Sequence, residues 1–288
     1  MTDIVRKVER TFPGKPTLEG AGVRLRRSFS NQEVRLLDPF LLLDSFGSAN
    51  PEDYLAGFPW HPHRGIETVT YMLEGNVEHG DTLGNSGVIG PGDVQWMRSG
   101  SGIIHQEMPK RAVHELRGFQ LWLNMPSRLK SAAPAYHGIS TGEIPKVDSG
   151  KGITVRIVAG SYDRVEGPVR DLPTEPQYLD VTLEDGVSFE HKVTPGHTAF
   201  AHVVRGEGTF DAAHTPVHAG ETALFGDGDI VRAQGKGLRF LLVSGKPLHE
   251  PIAWYGPIVM NRRDELLQAM RELEHGDFLK HPRPIIEE

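Results

Sequence analysis

The chain has 288 residues, a formal charge of −7, no cysteine, and 33 glycines and 21 prolines spread along its length. The charges are interspersed and no Lys/Arg-rich run is present to follow a phosphate backbone, which argues against direct nucleic-acid binding. The lack of thiols excludes a disulfide framework and any thiolate-bound metal. No stretch approaches the ~20 apolar residues of a membrane span, and the N-terminal MTDIVRKVERTFPGKPTLEG lacks the apolar core of a signal peptide, so a cytoplasmic protein without membrane contact is expected.

From about residue 20 to 125 short apolar segments recur between turn signals such as HGDTLGNSG, GPGD and SGSG. VTYMLEG, DVQWMRSG and GFQLWLNMP are too short for helices and rich in β-branched or aromatic residues, which predicts strands and an all-β protein. The segment from about 126 to 150 loses apolar periodicity and gains Pro, Ser and Gly, as a connection between two halves would. A domain of residues 1–130 and a second of 131–288 are expected on that basis.

The second half resembles the first. ETVTYMLEG (67–75) aligns without a gap on TAFAHVVRG (198–206), GPGDVQW (90–96) on HAGETAL (218–224), and FQLWLNMP (119–126) on FLLVSGKP (240–247). A duplicated β unit is the simplest account. One helix is expected near the C-terminus, in RRDELLQAMRELEHG. Its apolar stripe would be Leu266, Leu267, Met270 and Leu273, with Asn261 as N-cap and Gly276 closing the end.

The stretch GFPWHPHRGIETVTYMLEG (57–75) starts with two histidines one residue apart, and in an extended chain His61 and His63 share a face. In SGSGIIHQEMP (99–109), His105 and Glu107 have the same spacing. Two such pairs facing each other would supply three imidazoles and one carboxylate to a single ion. That sulfur-free set suits Fe(II), Mn, Ni, Cu or Zn with open positions, and iron comes first because open N/O sites of this kind favour oxygen chemistry. Glu67 is the rival carboxylate, four residues after His63, but Gly65 intervenes and a bulge there would turn it away. Arg64 would pair with an acid such as Glu67. Trp60, Trp96 and Trp122 are read chiefly as core, and the remaining histidines, His79 and His191 among them, as packed or exposed. In the second copy Lys192 and Thr194 stand where His61 and His63 do, so the chemistry is assigned to the N-terminal half.

FPWHPHRGIETVTYMLEG, GPGDVQWMRSGSGIIHQEMP and the late WYGPIVMN closely resemble the pirin family of the cupin superfamily. The resemblance covers nearly the whole chain. It implies a bicupin, two stacked double-stranded β-helix barrels with a C-terminal helix reaching back toward the first. It also implies an iron site in the N-terminal barrel alone, carried by His61, His63, His105 and Glu107. Pirin-like proteins are associated with quercetin 2,3-dioxygenase activity and with regulatory binding to transcription factors or metabolic enzymes. The leading expectation is therefore a metal-dependent dioxygenase that opens a flavonol with O₂, Glu107 serving as the base for the substrate hydroxyl. The alternative is an iron-dependent, redox-sensing regulatory protein with a protein partner, and a monomer is expected in either case.

Overall fold

Strand Ile103–Pro109 alternates buried and half-buried side chains along its whole length, while the first eight residues of Ile66–Glu74 are all buried. The first pattern is that of a strand with one face in a core, and the second that of a strand covered on both sides. The computed structural model describes residues 3–211 and 213–281. Among them strands predominate, α-helix occurs only at Val34–Leu37 and Arg263–His275, and no helix is long and apolar enough to cross a membrane. The fold is the all-β, two-domain architecture expected.

The chain forms two compact units, neither of them contiguous. One holds residues 16–27, 40–141 and the segment that begins at Leu248; the other holds the segment ending at Lys15, residues 28–39 and 142–247. The division thus differs from a single cut after residue 130, and edge strands supply the physical reason. An unpaired sheet edge exposes a row of backbone donors and acceptors. In the first unit the edge beside Val94–Arg98 is covered by Ala135–Ile139, drawn from the stretch expected to be mere connection. In the second, the edge beside Glu221–Phe225 is covered by Val8–Pro13, brought from the far end of the chain.

Within the first unit a large sheet runs in the order Ala135–Ile139, Val94–Arg98, Ile66–Glu74, Leu116–Asn124, Phe40–Ser48, and a smaller one in the order Phe58–His63, Ile103–Pro109, Val77–Asp81, Ser86–Ile89. The second unit repeats the core of this plan as Glu221–Phe225, Thr198–Thr209, Ile230–Gly245, Gln177–Leu183. The duplication extends to register: Val69 faces Trp96 in one unit, and the residues aligned to them, Phe200 and Leu224, face each other in the other.

The helix Arg263–His275 starts one residue later than expected. The Glu265 carboxylate accepts the backbone N–H groups of Arg262 at 2.9 Å and Asn261 at 3.2 Å, and Gly276 closes the end in the left-handed region at φ +82°. Its buried residues are Leu266 and Ala269, packed with Ile258, Met260 and Phe278, whereas Leu267 and Leu273 are exposed. Of the expected stripe Leu266 is buried and Met270 half-buried, whereas Leu267 and Leu273 are exposed and Ala269, too small to stand out as a hydrophobic anchor in the sequence, takes the buried place beside Leu266.

Candidate metal centre

His61 and His63 lie at the end of strand Phe58–His63, and His105 faces His61 across the antiparallel pair with Ile103–Pro109. Alternation keeps His61 and His63 on one side of their strand, and the pairing brings His105 to the same side. One ring nitrogen from each of the three lies within 4.8 Å of the other two.

The hydrogen bonds decide which nitrogen. A carbonyl oxygen only accepts, so His61 Nδ1 donates to Pro59 O at 2.9 Å and His63 Nδ1 donates to Pro257 O at 3.2 Å. With both rings neutral, each has a bare Nε2, and these two nitrogens lie 3.1 Å apart. With no proton between them that approach is repulsive unless a cation lies in front of both. His105 is fully buried, and neither of its ring nitrogens has a hydrogen-bond partner among the described residues. Burial, reinforced by the neighbouring imidazoles, pushes His63 and His105 well below the usual histidine range, so both remain neutral with lone pairs free. An orphaned buried imidazole beside two converging lone pairs fits a metal ion, and the all-nitrogen donor set suits a first-row divalent one.

Glu107 does not join that convergence. A register shift after His105 places Glu107 opposite Phe58, one step past the histidines, so the two H-x-[HE] pairs do not face each other squarely. Its carboxylate is buried and held from the large sheet. Gln120 Nε2 donates to Oε2 at 3.1 Å, and Thr70 Oγ1 lies 2.8 Å from Oε1 and 2.7 Å from Gln120 Oε1. The single Thr70 proton serves one of those two acceptors at a time.

Glu67, the rival, points elsewhere: it accepts the indole N–H of Trp96 at 2.8 Å and lies 3.5 Å from Arg98. Gly65 is the cause. It sits between the two strands at φ +78°, where a Cβ would fall 2.0 Å from Val259 O, and only glycine can make the turn. Arg64 accordingly pairs not with Glu67 but with Glu272 at 2.7 Å, donates to Phe278 O at 2.7 Å, and lies over the Phe278 ring. The buried Lys130 locks the same turn, donating to Gly65 O, Asn124 Oδ1 and Val259 O at 2.9, 2.7 and 2.7 Å.

Two neighbours escaped sequence reasoning. His79, read as packed or exposed, stacks on Tyr136 with its ring 5.6 Å from that of His105, fixed by Asp81 at 3.2 Å and Gln95 at 3.0 Å. The spacing His79-x-Asp81 on a strand is the signal that could have found it. Pro257, whose carbonyl orients His63, is 194 residues away in sequence, and no local pattern marks it. Trp122, expected chiefly as core, stands at the site with its ring 5.1 Å from that of His63.

Residues 22–123 match the Pirin family model and residues 178–279 the Pirin C-terminal cupin domain model. A pirin-like protein of Caulobacter vibrioides is 45% identical over 276 residues, covering 95% of this chain and 99% of its own. The crystal structure of a quercetin 2,3-dioxygenase from Acinetobacter baumannii superposes with a TM-score of 0.89 at 30% identity, covering 95% of this chain and 98% of its own. A bacterial pirin of Escherichia coli, YhhW, solved in complex with nickel(II), shares the fold at 19% identity and a TM-score of 0.65, over 83% of this chain and 98% of its own. Two family models in tandem and a relative near half identical along its whole length, together with three histidines whose ring nitrogens converge, place this chain in the pirin family.

Proposed function

We propose that this protein is a metal-dependent dioxygenase of the quercetin 2,3-dioxygenase type, acting on a flavonol-like aromatic substrate. The observation that carries the reading is the convergence of three imidazole lone pairs, one on a ring with no other partner, beside a buried carboxylate held ready by amide and hydroxyl. The likeness to the Acinetobacter baumannii enzyme supports it. His61, His63 and His105 would hold the ion, Fe(II) in first place, with Mn, Ni, Cu and Zn compatible with the same donors. Such an ion supplies Lewis acidity toward a substrate oxygen and a meeting point for substrate and O₂.

The residues do the rest. Glu107 is the base: when Thr70 turns its proton to Gln120 Oε1, Glu107 Oε1 is free to take the proton of the substrate hydroxyl. Gln120 meanwhile holds the other carboxylate oxygen and fixes the group's orientation. Once protonated, Oε1 can donate to the Thr70 hydroxyl oxygen, whose own proton stays on Gln120 Oε1. The backbone carbonyls of Pro59 and Pro257 keep His61 and His63 in the tautomer that leaves Nε2 bare.

Protein reconstituted with Fe(II) under anaerobic conditions is expected to consume O₂ and quercetin together and to release carbon monoxide. Absence of turnover with every first-row divalent metal would sink the reading. A second reading, an iron-dependent redox-sensing regulator of a transcription factor or metabolic enzyme, draws on Trp60, which is 54% exposed next to His61 and offers an apolar anchor beside the site. A pull-down that recovers no partner in either oxidation state would remove it.

A further inference from the structure

Trp122 faces Thr68 across the pair of strands Leu116–Asn124 and Ile66–Glu74, and Gln120 faces Thr70 two residues along. Alternation puts the four side chains on one face of the large sheet as a two-by-two block. Half of that block is occupied, since Thr70 and Gln120 hold Glu107. The other half is not. Trp122 Nε1 and Thr68 Oγ1 are both buried, and neither has a hydrogen-bond partner among the described residues. Thr68 is only 1% exposed, and the Trp122 ring is 5.1 Å from that of His63. Buried polar groups are nearly always paired, so two adjacent orphans beside a metal-binding triad call for a polar guest.

We propose that Trp122 and Thr68 form an oxygen-binding subsite, which receives the second oxygen of a ligand whose first oxygen faces the histidine triad. An indole N–H only donates, while a hydroxyl donates or accepts. The pair therefore suits an oxygen that accepts, such as a phenolate, an enolate or a ketone. The Trp254 ring lies 6.2 Å from that of Trp122, tilted by 38°, so the subsite is flanked by aromatic surface that favours a flat ligand. The ligand class is thus a planar aromatic with oxygens on adjacent carbons, a catechol or a hydroxy-ketone. This deepens the oxygenase reading and rests on it for the choice of ligand, but it is a claim about binding.

The test uses the full chain loaded with Zn(II), so that no turnover intervenes, titrated with 4-nitrocatechol and with 4-nitrophenol, which lacks the second oxygen. The parent is expected to bind 4-nitrocatechol with a shift of the Trp122 indole N–H resonance, assigned by its disappearance in Trp122→Phe. The Trp96 resonance, tied to Glu67, should stay in place. Trp122→Phe and, independently, the near-isosteric Thr68→Val are each expected to weaken 4-nitrocatechol binding by about 10- to 100-fold, the range of a hydrogen bond to a charged oxygen. Both should leave 4-nitrophenol affinity and zinc content unchanged. Failure of the zinc-loaded parent to bind 4-nitrocatechol would overturn the proposal, as would equal 4-nitrocatechol affinity in parent and variants, or an equal loss for both ligands. Normal binding behaviour without O₂ uptake on any metal would instead overturn the oxygenase reading and leave the subsite standing.

Discussion

The two units are built on one strand plan and fill it in opposite ways. In the unit that contains residues 40–141, the strands carry His63, His79, His105, Glu107, Thr68, Thr70 and Gln95 as buried side chains. In the other unit the core is Phe189, Phe210, Phe240, Val231, Leu238 and Leu242, with Phe240 edge-on to Phe189 at 5.6 Å and to Phe210 at 5.1 Å. Lys192 occupies the place of His61, and its strand partner is Ile230 where His61 has His105. The phenylalanine-filled copy also buries polar side chains, His202, Asp180 and Thr222 among them, but no convergent group of imidazoles is found there among the described residues. Burying seven polar side chains where apolar ones would serve lowers stability unless each is paired, so the polar interior is a cost borne for binding and chemistry.

Four experiments would break or sharpen this contrast. The largest effect is expected from His105→Ala, which should reduce the metal content of purified protein to below about a tenth of the parent's, since it removes one of three donors and leaves the other two to a flexible, water-filled site. His191→Ala, in the apolar unit, should change metal content not at all, although burial pushes His191 down to about 4. Equal metal loss in both variants would erase the distinction between the units.

Phe189→Ala is the converse test. It should cost about 3–5 kcal/mol in denaturant unfolding, as large-to-small changes in a close-packed core do, and leave the metal content of the folded protein intact. Glu107→Gln, which removes the proposed base, is expected to lower quercetin-dependent O₂ uptake about 10²- to 10⁴-fold with metal content unchanged, while Glu67→Gln, already committed to Trp96 and Arg98, should leave uptake unchanged. The reverse order would reassign the carboxylate.

The smallest effect concerns the helix anchor. Burial opposes the charge of Glu272, but hydrogen bonds from Arg64, Gln268 and Lys280 outweigh it and hold the carboxyl down to about 2. A carboxyl depressed on folding contributes stability above its unfolded pKa, and that contribution is lost as pH falls through its folded one. Glu272→Gln should therefore melt lower than the parent at neutral pH, and the gap should close between about pH 4.5 and 2. A gap that does not change with pH would mean the carboxylate's charge contributes nothing.

Much of this was legible beforehand, for identifiable reasons. The pairs His61/His63 and His105/Glu107 stand out because alternation along a strand is a local property, and Gly65 could be suspected of turning Glu67 away because a positive φ is likewise local. The partner of Arg64 was misjudged for the opposite reason: Glu272 is 208 residues distant, and nothing near Arg64 in the sequence points to it. His79 was passed over because a histidine acquires meaning only from what surrounds it, here Asp81, Gln95, Tyr136 and His105.

The sequence by itself determined the all-β class, the duplication and the three histidines, all of which follow from short-range periodicity and from residue types with few substitutes. The tertiary structure alone decided which nitrogen of His61 and of His63 faces the site, that Glu107 stands one step outside the triad, and that Trp122 and Thr68 are left without partners beside it among the described residues. Those depend on strand register and, for His63, on a carbonyl contributed from a remote segment, Pro257. Register is fixed by the summed packing of whole sheets, and no single stretch of chain carries that information.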